Sequence, residues 1–400
     1  MKRNLWVYAL LWLSSGTLFQ LPAQPTQTEQ RPFEEVKAKA ETGDAACQFE
    51  LGRRYDLGEG VPKDPVEAAK WLRKAAEQNL AKAQYNLGIL YLNGAGVAKD
   101  LVEGAKWLRK AAEQNYAEAQ SSLGICYANG DGVKKDLAEA VKWYRKAAEQ
   151  NVAAGQHSMG YSYEKGEGVA KDLVEAAKWY RKAAEQNLAH AQFNLGRCYA
   201  NGLGVAKDPA EAVKWYRKAA EQNLPEAQDN LGRCYLNGEG VAKDQAEAVK
   251  WFRKAAEQSF AAAHYNLGFC YSNGYGVTRD DAEAVKWYRK AAEQNIDDAQ
   301  FKLGMFYAAG DGVTKDFVEA VKWYRKAAEQ NHAQAIYRVG RCYEQGEGVE
   351  KDPVEAYKWW LVAAGQGDED AKKALTTLEN KMTPEQIAEG QKRARDFKPR

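Results

Sequence analysis

A tryptophan returns every 36 residues through most of this chain, at Trp71, Trp107, Trp143, Trp179, Trp215, Trp251, Trp287, Trp323 and Trp359. Each lies in a near-copy of one segment, typified by Lys142-Trp143-Tyr144-Arg145-Lys146-Ala147-Ala148-Glu149-Gln150-Asn151. A repeat of this length is one supersecondary unit that buries its apolar face only by stacking on its neighbours. The 400 residues are therefore expected to form one elongated all-α array instead of two or three globular domains. Such an array offers surface before it offers a pocket.

One unit is legible over residues 116–151. Helical periodicity predicts a first helix from about Ala117 to Asn129 and a second from about Leu137 to Gln150, joined by a loop from Gly130 to Asp136. The loop glycines recur, as Gly94 and Gly96 or Gly346 and Gly348, which suits backbone at positive φ. The loop always ends on aspartate, from Asp64 to Asp352, with a glutamate three residues later, a capping-box-like start in which the aspartate accepts from free amides of the first turn. Pro65, Pro209 and Pro353 fall at the first helical position. Asparagine alternates with glycine where the second helix stops (Asn79, Asn115 and Asn151, with Gly43 and Gly367), the mark of a left-handed residue. Ser259 departs from this rule and predicts a strained or frayed helix end.

The pattern Ala-x-x-x-Leu-Gly-x-x-Tyr-x-x-Gly-x-Gly-Val-x-x-Asp, followed by Glu-Ala-x-Lys-Trp-Tyr-Arg-Lys-Ala-Ala, resembles the Sel-one-like repeat, a relative of the tetratricopeptide repeat with a longer loop. The resemblance implies a right-handed superhelix of about nine helix pairs, first helices lining a concave face, and service as an adaptor for other proteins. Handedness and adaptor role come from the resemblance alone. The helical solenoid follows from the residues themselves.

The domain organisation reads as a signal peptide (1–23), a linker (24–32), an amino-terminal capping helix (33–43), nine repeats (44–367) and carboxy-terminal capping helices (368–400). Lys2 and Arg3 precede an apolar run from Leu5 to about Phe19, then Leu21-Pro22-Ala23, the order of a secretory leader, so the mature chain is expected to be exported, periplasmic or secreted, without stable membrane insertion. The amino-terminal cap puts Glu35 where the tryptophan belongs, and Thr383-Pro384-Glu385 opens a last helix carrying Lys392, Arg393 and Arg395 in its final turn.

Lysine plus arginine (57) nearly balances aspartate plus glutamate (55), so no nucleic-acid footprint follows. Cys126, Cys198, Cys234, Cys270 and Cys342 share one repeat position. Equivalent stacked helices lie about 8–10 Å apart, too far for the roughly 7 Å α-carbon limit of a disulfide, so these cysteines read as small buried residues. His157, His190, His264 and His332 occupy four different repeat positions and make no helical ligand pair. No metal, cofactor or catalytic residue is expected.

Counting the first residue of each repeat as position zero and advancing about 100° per residue, the near-constant positions three, seven, eight and eleven (Ala119, Leu123, Gly124 and Tyr127) form one packed side. Positions two, five, nine and twelve fall opposite and vary. From repeat five onward, positions five and nine carry Phe193, Arg197, Asp229, Arg233, Tyr265, Phe269, Phe301, Met305, Tyr337 and Arg341, and all but Asp229 are residue types that recur in interface cores. They predict a groove binding a protein or peptide to a monomeric, non-catalytic scaffold. In the bland alternative, position five packs against the neighbouring repeat and only position nine is open. A second functional reading is a β-lactamase-like or penicillin-binding hydrolase, because Ser162-Tyr163-Glu164-Lys165 has the serine-x-x-lysine spacing. No Lys-Thr-Gly motif accompanies it.

Overall fold

The computed structural model describes residues 32–399. The leader expected over residues 1–23, and the linker up to residue 31, lie outside the described residues. Among those described, all regular structure is helical, in twenty-one helices. They divide into two compact units between residues 207 and 208. The first unit holds the amino-terminal cap (Phe33–Glu41), four repeats and the first helix of the fifth (Ala189–Asn201). The second holds the fifth repeat's second helix (Pro209–Glu221), four further repeats and the two carboxy-terminal helices (Glu369–Glu379 and Pro384–Asp396). Inside each unit, every first helix packs on the second helix of its repeat, which packs on the next first helix. The third repeat's helices, Ala117–Asn129 and Leu137–Glu149, fall where periodicity places them.

The deepest core position is the residue after the tryptophan. Leu72, Leu108, Tyr144 and Tyr180 in the first unit, and Phe252, Tyr288 and Tyr324 in the second, are buried. Each faces the glycine of the Leu-Gly pair, or of Met159-Gly160 for Tyr180. A β-carbon on Gly124 would sit 2.5 Å from the Tyr144 ring, so glycine is what lets the two helices close on a large side chain. The tryptophans are less uniform. Trp107, Trp251, Trp323 and Trp359 are buried, whereas Trp71, Trp143, Trp179, Trp215 and Trp287 are half-buried.

The basic-aromatic segment is consumed by this packing. Lys142 pairs with Glu139 at 2.8 Å, and Lys146 lies 4.2 Å from the centre of the Trp143 ring, covering its outer side. Tyr144 fills the core, and Arg145 donates to the Tyr163 hydroxyl of the next repeat at 3.2 Å. Four chemistries in five consecutive residues are thereby tied to folding.

A second repeating element is polar. Gln84 Nε2 donates to the Ala76 carbonyl at 3.1 Å and to Asn79 Oδ1 at 3.0 Å, while Gln114 Nε2 donates to Gln84 Oε1 at 2.7 Å. The same amide cluster recurs at Gln120 with Gln150 and, in the second unit, at Gln228 with Gln258. It satisfies buried helix-end carbonyls that would otherwise be orphaned. Where the sixth and seventh repeats join, His264 of the seventh replaces the glutamine and Ser259 of the sixth the asparagine. His264 Nε2 reaches the Ala256 carbonyl at 3.2 Å, and Gln294 Nε2 meets His264 Nδ1 at 2.9 Å. Burial lowers the His264 pKa, which keeps the ring neutral, with Nε2 donating and Nδ1 accepting. Ser259 adopts φ 59°, like the asparagines, so the expected strain is present. The expected fraying is not: Ser259 N still donates to the Ala256 carbonyl at 2.9 Å, and Phe260 N to the Ala255 carbonyl at 3.2 Å.

Second-helix starts are capped by half of the expected box. Asp100 Oδ1 accepts from Glu103 N at 2.9 Å. The Glu103 carboxylate turns to Lys106 at 3.3 Å instead of reaching back. The Asp100 amide is already engaged, donating to the Tyr91 carbonyl at 3.0 Å and closing the loop. A helix outside the repeats flanks them on either side among the described residues. Glu35 is exposed and pairs with Lys39, while Arg393 bridges Glu389 and Glu355, tying the last helix to the ninth repeat's second helix.

Candidate functional site

The first-helix face separates into two registers. Position nine is open to some degree in all nine repeats: Arg53, Ile89, Ile125, Tyr161 and Arg197 in the first unit, and Arg233, Phe269, Met305 and Arg341 in the second. Position five is turned toward the neighbouring repeat, and Ser121, Asp229 and Phe301 are buried there. It meets position six of the next repeat. Asn194 Nδ2 lies 3.0 Å from His157 Nε2, and Asn266 Nδ2 donates to Asp229 Oδ1 at 2.8 Å. Burial, assisted by His190, pushes the His157 pKa down to about 3, so the neutral ring accepts. Position twelve is buried in the second and third repeats, at Leu92 and Ala128, and partly exposed in the others.

Among the expected site residues of the first unit, Phe193 is half-buried, and Arg197 donates to Asn194 at 3.2 Å and lies 3.5 Å from the Glu164 carboxylate. In the second unit Arg233 is exposed, Tyr265 leans on Tyr288 with ring centres 5.7 Å apart, and Phe269 packs edge-on against Tyr275 at 5.6 Å. Met305 is half-buried against the core. Tyr337 stacks over Trp360 at 6.3 Å, and Arg341 reaches Gln345 at 3.4 Å. Phe301 is the exception to an open groove: it is 6% exposed, stacked on His332 at 4.6 Å and tilted against Tyr324, so it backs the surface from beneath. The bland reading thus describes position five at Ser121, Asp229 and Phe301.

Two features escaped the sequence reading. Lys302 and Arg338, at position six, belong to this face, and their signal was available, because position six is Glu50 in the first repeat, asparagine or serine in the next six, and a cation only in the last two. A cavity of about 370 Å³ lies where the ninth repeat meets the capping helix Glu369–Glu379, lined by Tyr337, Trp360, Glu344, Asp370 and Lys373. It exists only because the cap packs there.

Asp229 gives the face a measurable pH dependence. Burial raises its pKa from 3.8 to about 6, opposed by the Asn266 bond and the Arg233 charge. A carboxyl whose folded pKa exceeds its unfolded value resists ionisation, so stability is lost as pH rises from about 4 to about 6. Asp229→Asn should stabilise the protein at pH 7 by on the order of 2 kcal/mol, with a much smaller gain at pH 4. Urea melts at both pH values check this. An equal shift at the two would mean that the carboxylate carries no burial penalty.

The serine and lysine of the Ser-x-x-Lys spacing differ in exposure. Ser162 is buried in the register that cysteine fills elsewhere, while Lys165 is exposed and bonded to Glu164 at 2.7 Å. All six cysteines are buried and free, as expected of packing residues, and burial pushes the Cys126 thiol up to about 12. The histidines have structural partners where these are seen: His332, for one, accepts from Ala335 N at 3.2 Å as a helix cap.

The family model for the Sel1 repeat matches nine consecutive segments, residues 45–80 through 333–368. The chain belongs to the Sel1 repeat family. Each match begins one residue after the repeat start assigned from the tryptophan period. A protective antigen of uropathogenic Escherichia coli, c5321, described as displaying an SLR fold, is 33% identical with a TM-score of 0.61, over 92% of this chain and 94% of that one. A Sel1 repeat protein from Oxalobacter formigenes is 37% identical with a TM-score of 0.56, over 61% of this chain and 96% of that one. No curated protein sequence matches. Sel1 repeat proteins are generally protein-interaction scaffolds. No helix among the described residues is long and apolar enough to cross a membrane.

Proposed function

We propose that this Sel1 repeat chain is an exported, non-catalytic, monomeric scaffold whose first-helix face holds a peptide or protein. One observation carries the reading. The packed registers stay constant from repeat to repeat, while position nine, at least partly exposed everywhere, takes arginine, isoleucine, tyrosine, phenylalanine and methionine. A merely solvated face has no need of those side chains. Phe269, Met305, Tyr337 and Arg341 form the working set in the second unit, and Arg197 with Phe193 in the first.

Pull-down from an envelope extract supplies the partner, and calorimetry then tests the face. Phe269→Ala should weaken binding by about 1–3 kcal/mol with the fold intact, because interface energy concentrates in a few aromatic and arginine anchors. Lys286, exposed on a second helix, is the control. Binding abolished at Lys286 and untouched at Phe269 would move the working surface to the second helices. Export rests on the leader and is tested by amino-terminal sequencing. A mature chain beginning near Gln24 supports it, and one that retains Leu5 to Phe19 overturns it.

A further inference from the structure

The two units treat the cations of their first-helix faces differently. In the first unit Arg53 is held by Glu50 at 3.1 Å and Glu59 at 2.7 Å, and Arg197 faces Glu164 at 3.5 Å. In the second unit Lys302, Arg338 and Arg341 have no carboxylate within ion-pairing distance among the described residues, although ion pairs are abundant elsewhere on the chain. Arg233 has none either, but its charge partly offsets the buried Asp229. Asp298, the acid nearest in register, is taken by His332 at 3.2 Å. Glu344, at the cavity of the carboxy-terminal cap, and Glu347, in the loop that follows the same helix, are the acids nearby, and neither pairs with these cations.

Placement puts these cations around an apolar centre. Position five of one repeat touches position six of the next in the Asp229–Asn266 bond, and the same repeat geometry assigns Lys302 to the site facing Tyr265 and Arg338 to the one facing Phe301. Phe269 and Met305 occupy the middle of the position-nine row, between Arg233 and Arg341. Arg338 and Arg341 are three residues apart on the helix Ala333–Gln345, a spacing that makes them neighbours on one side of it.

We propose that the second unit's face binds an acidic polypeptide segment with an apolar centre, the apolar side chains on Phe269 and Met305 and the flanking carboxylates on Lys302, Arg338 and Arg341. This rests on the first-helix face being the working surface. Charge complementarity supplies the choice of partner: unpaired guanidinium groups on one patch match carboxylates in fork geometry, and steer them before contact.

The test uses the full chain and three labelled peptides sharing a Leu-Phe-Leu core, flanked on each side by two glutamates, two serines or two lysines. The glutamate peptide should bind about tenfold or more tighter than the serine peptide, with the advantage shrinking as salt rises. The paired substitution of Arg338→Ala with Arg341→Ala should remove that advantage, bringing the glutamate peptide's affinity down to about that of the serine peptide on the same variant. Circular dichroism monitors the fold. Lysine-flanked peptide binding as well as the glutamate one, an acidic peptide that fails to bind, or an advantage that survives the double substitution would each overturn the proposal. If Phe269→Ala still weakens the serine peptide in those cases, the groove reading stands. If it does not, and Lys286→Glu alters binding instead, that reading falls as well.

Discussion

Gly312→Ala should destabilise the second unit by about 3–5 kcal/mol, whereas Gly60→Ala, at the same loop position of the first repeat, should cost only about 1–2 kcal/mol. Both glycines have left-handed backbone, with φ of 64° and 72°, so each alanine meets the same intrinsic penalty. Their surroundings differ. A β-carbon on Gly312 would stand 2.2 Å from the Asp281 carbonyl carbon and 2.4 Å from Ala282 N, backbone atoms at the start of the preceding repeat's second helix. No rotamer change relieves that contact. At Gly60 there is nothing within 4 Å among the described residues. Urea melts followed by circular dichroism compare the two, with the caution that repeat arrays need not unfold in one step. Equal losses would mean that the glycine serves the loop's backbone angle alone and that the seam between repeats closes elsewhere.

Leu231→Ala should cost about 2–5 kcal/mol and Arg233→Ala less than about 1 kcal/mol. The two residues are neighbours on one helix, Pro225–Asn237, and differ only in the side they present. Leu231 is fully buried, so truncation leaves a cavity that rigid helices on both sides cannot collapse. Arg233 is exposed and has no ion pair among the described residues, so its removal costs little contact. Similar melts of the two variants would mean that the packed and open registers of the first helices are misassigned. A large loss at Arg233 alone would instead point to its charge holding Asp229 in place.

Much of this molecule is local and therefore legible in the residues. The 36-residue period, the helix limits, the aspartate caps, the left-handed asparagines and the buried cysteine register all depend on spacing within one repeat, where propensity and periodicity act directly. The face carrying variable side chains follows from the same arithmetic. Other features needed neighbouring repeats in place. The capping box lost its second half because the Asp100 amide found the Tyr91 carbonyl, a contact nine residues away across a loop. The Gln84–Gln114–Asn79 cluster joins two repeats through residues that look, one at a time, like unremarkable polar helix ends.

Site residues divide in the same way. Helical phase assigned Phe269 and Phe301 equally to the open side, but phase has no knowledge of what lies beside the helix. Position five faces the next repeat, so Phe301 is covered by His332 and Tyr324, while Phe269, four residues further along its own first helix, stays half-open. Charge was equally ambiguous: Arg197 and Arg341 share one register, and only the packed structure put Glu164 against the first and left the second without a carboxylate among the described residues. Sequence by itself determined the repeating unit, its caps and its two-sided first helix, because these are set by interactions a few residues apart. Tertiary structure alone decided which side chains of that helix remain available, because burial and ion pairing on the face depend on residues 30 to 40 positions away.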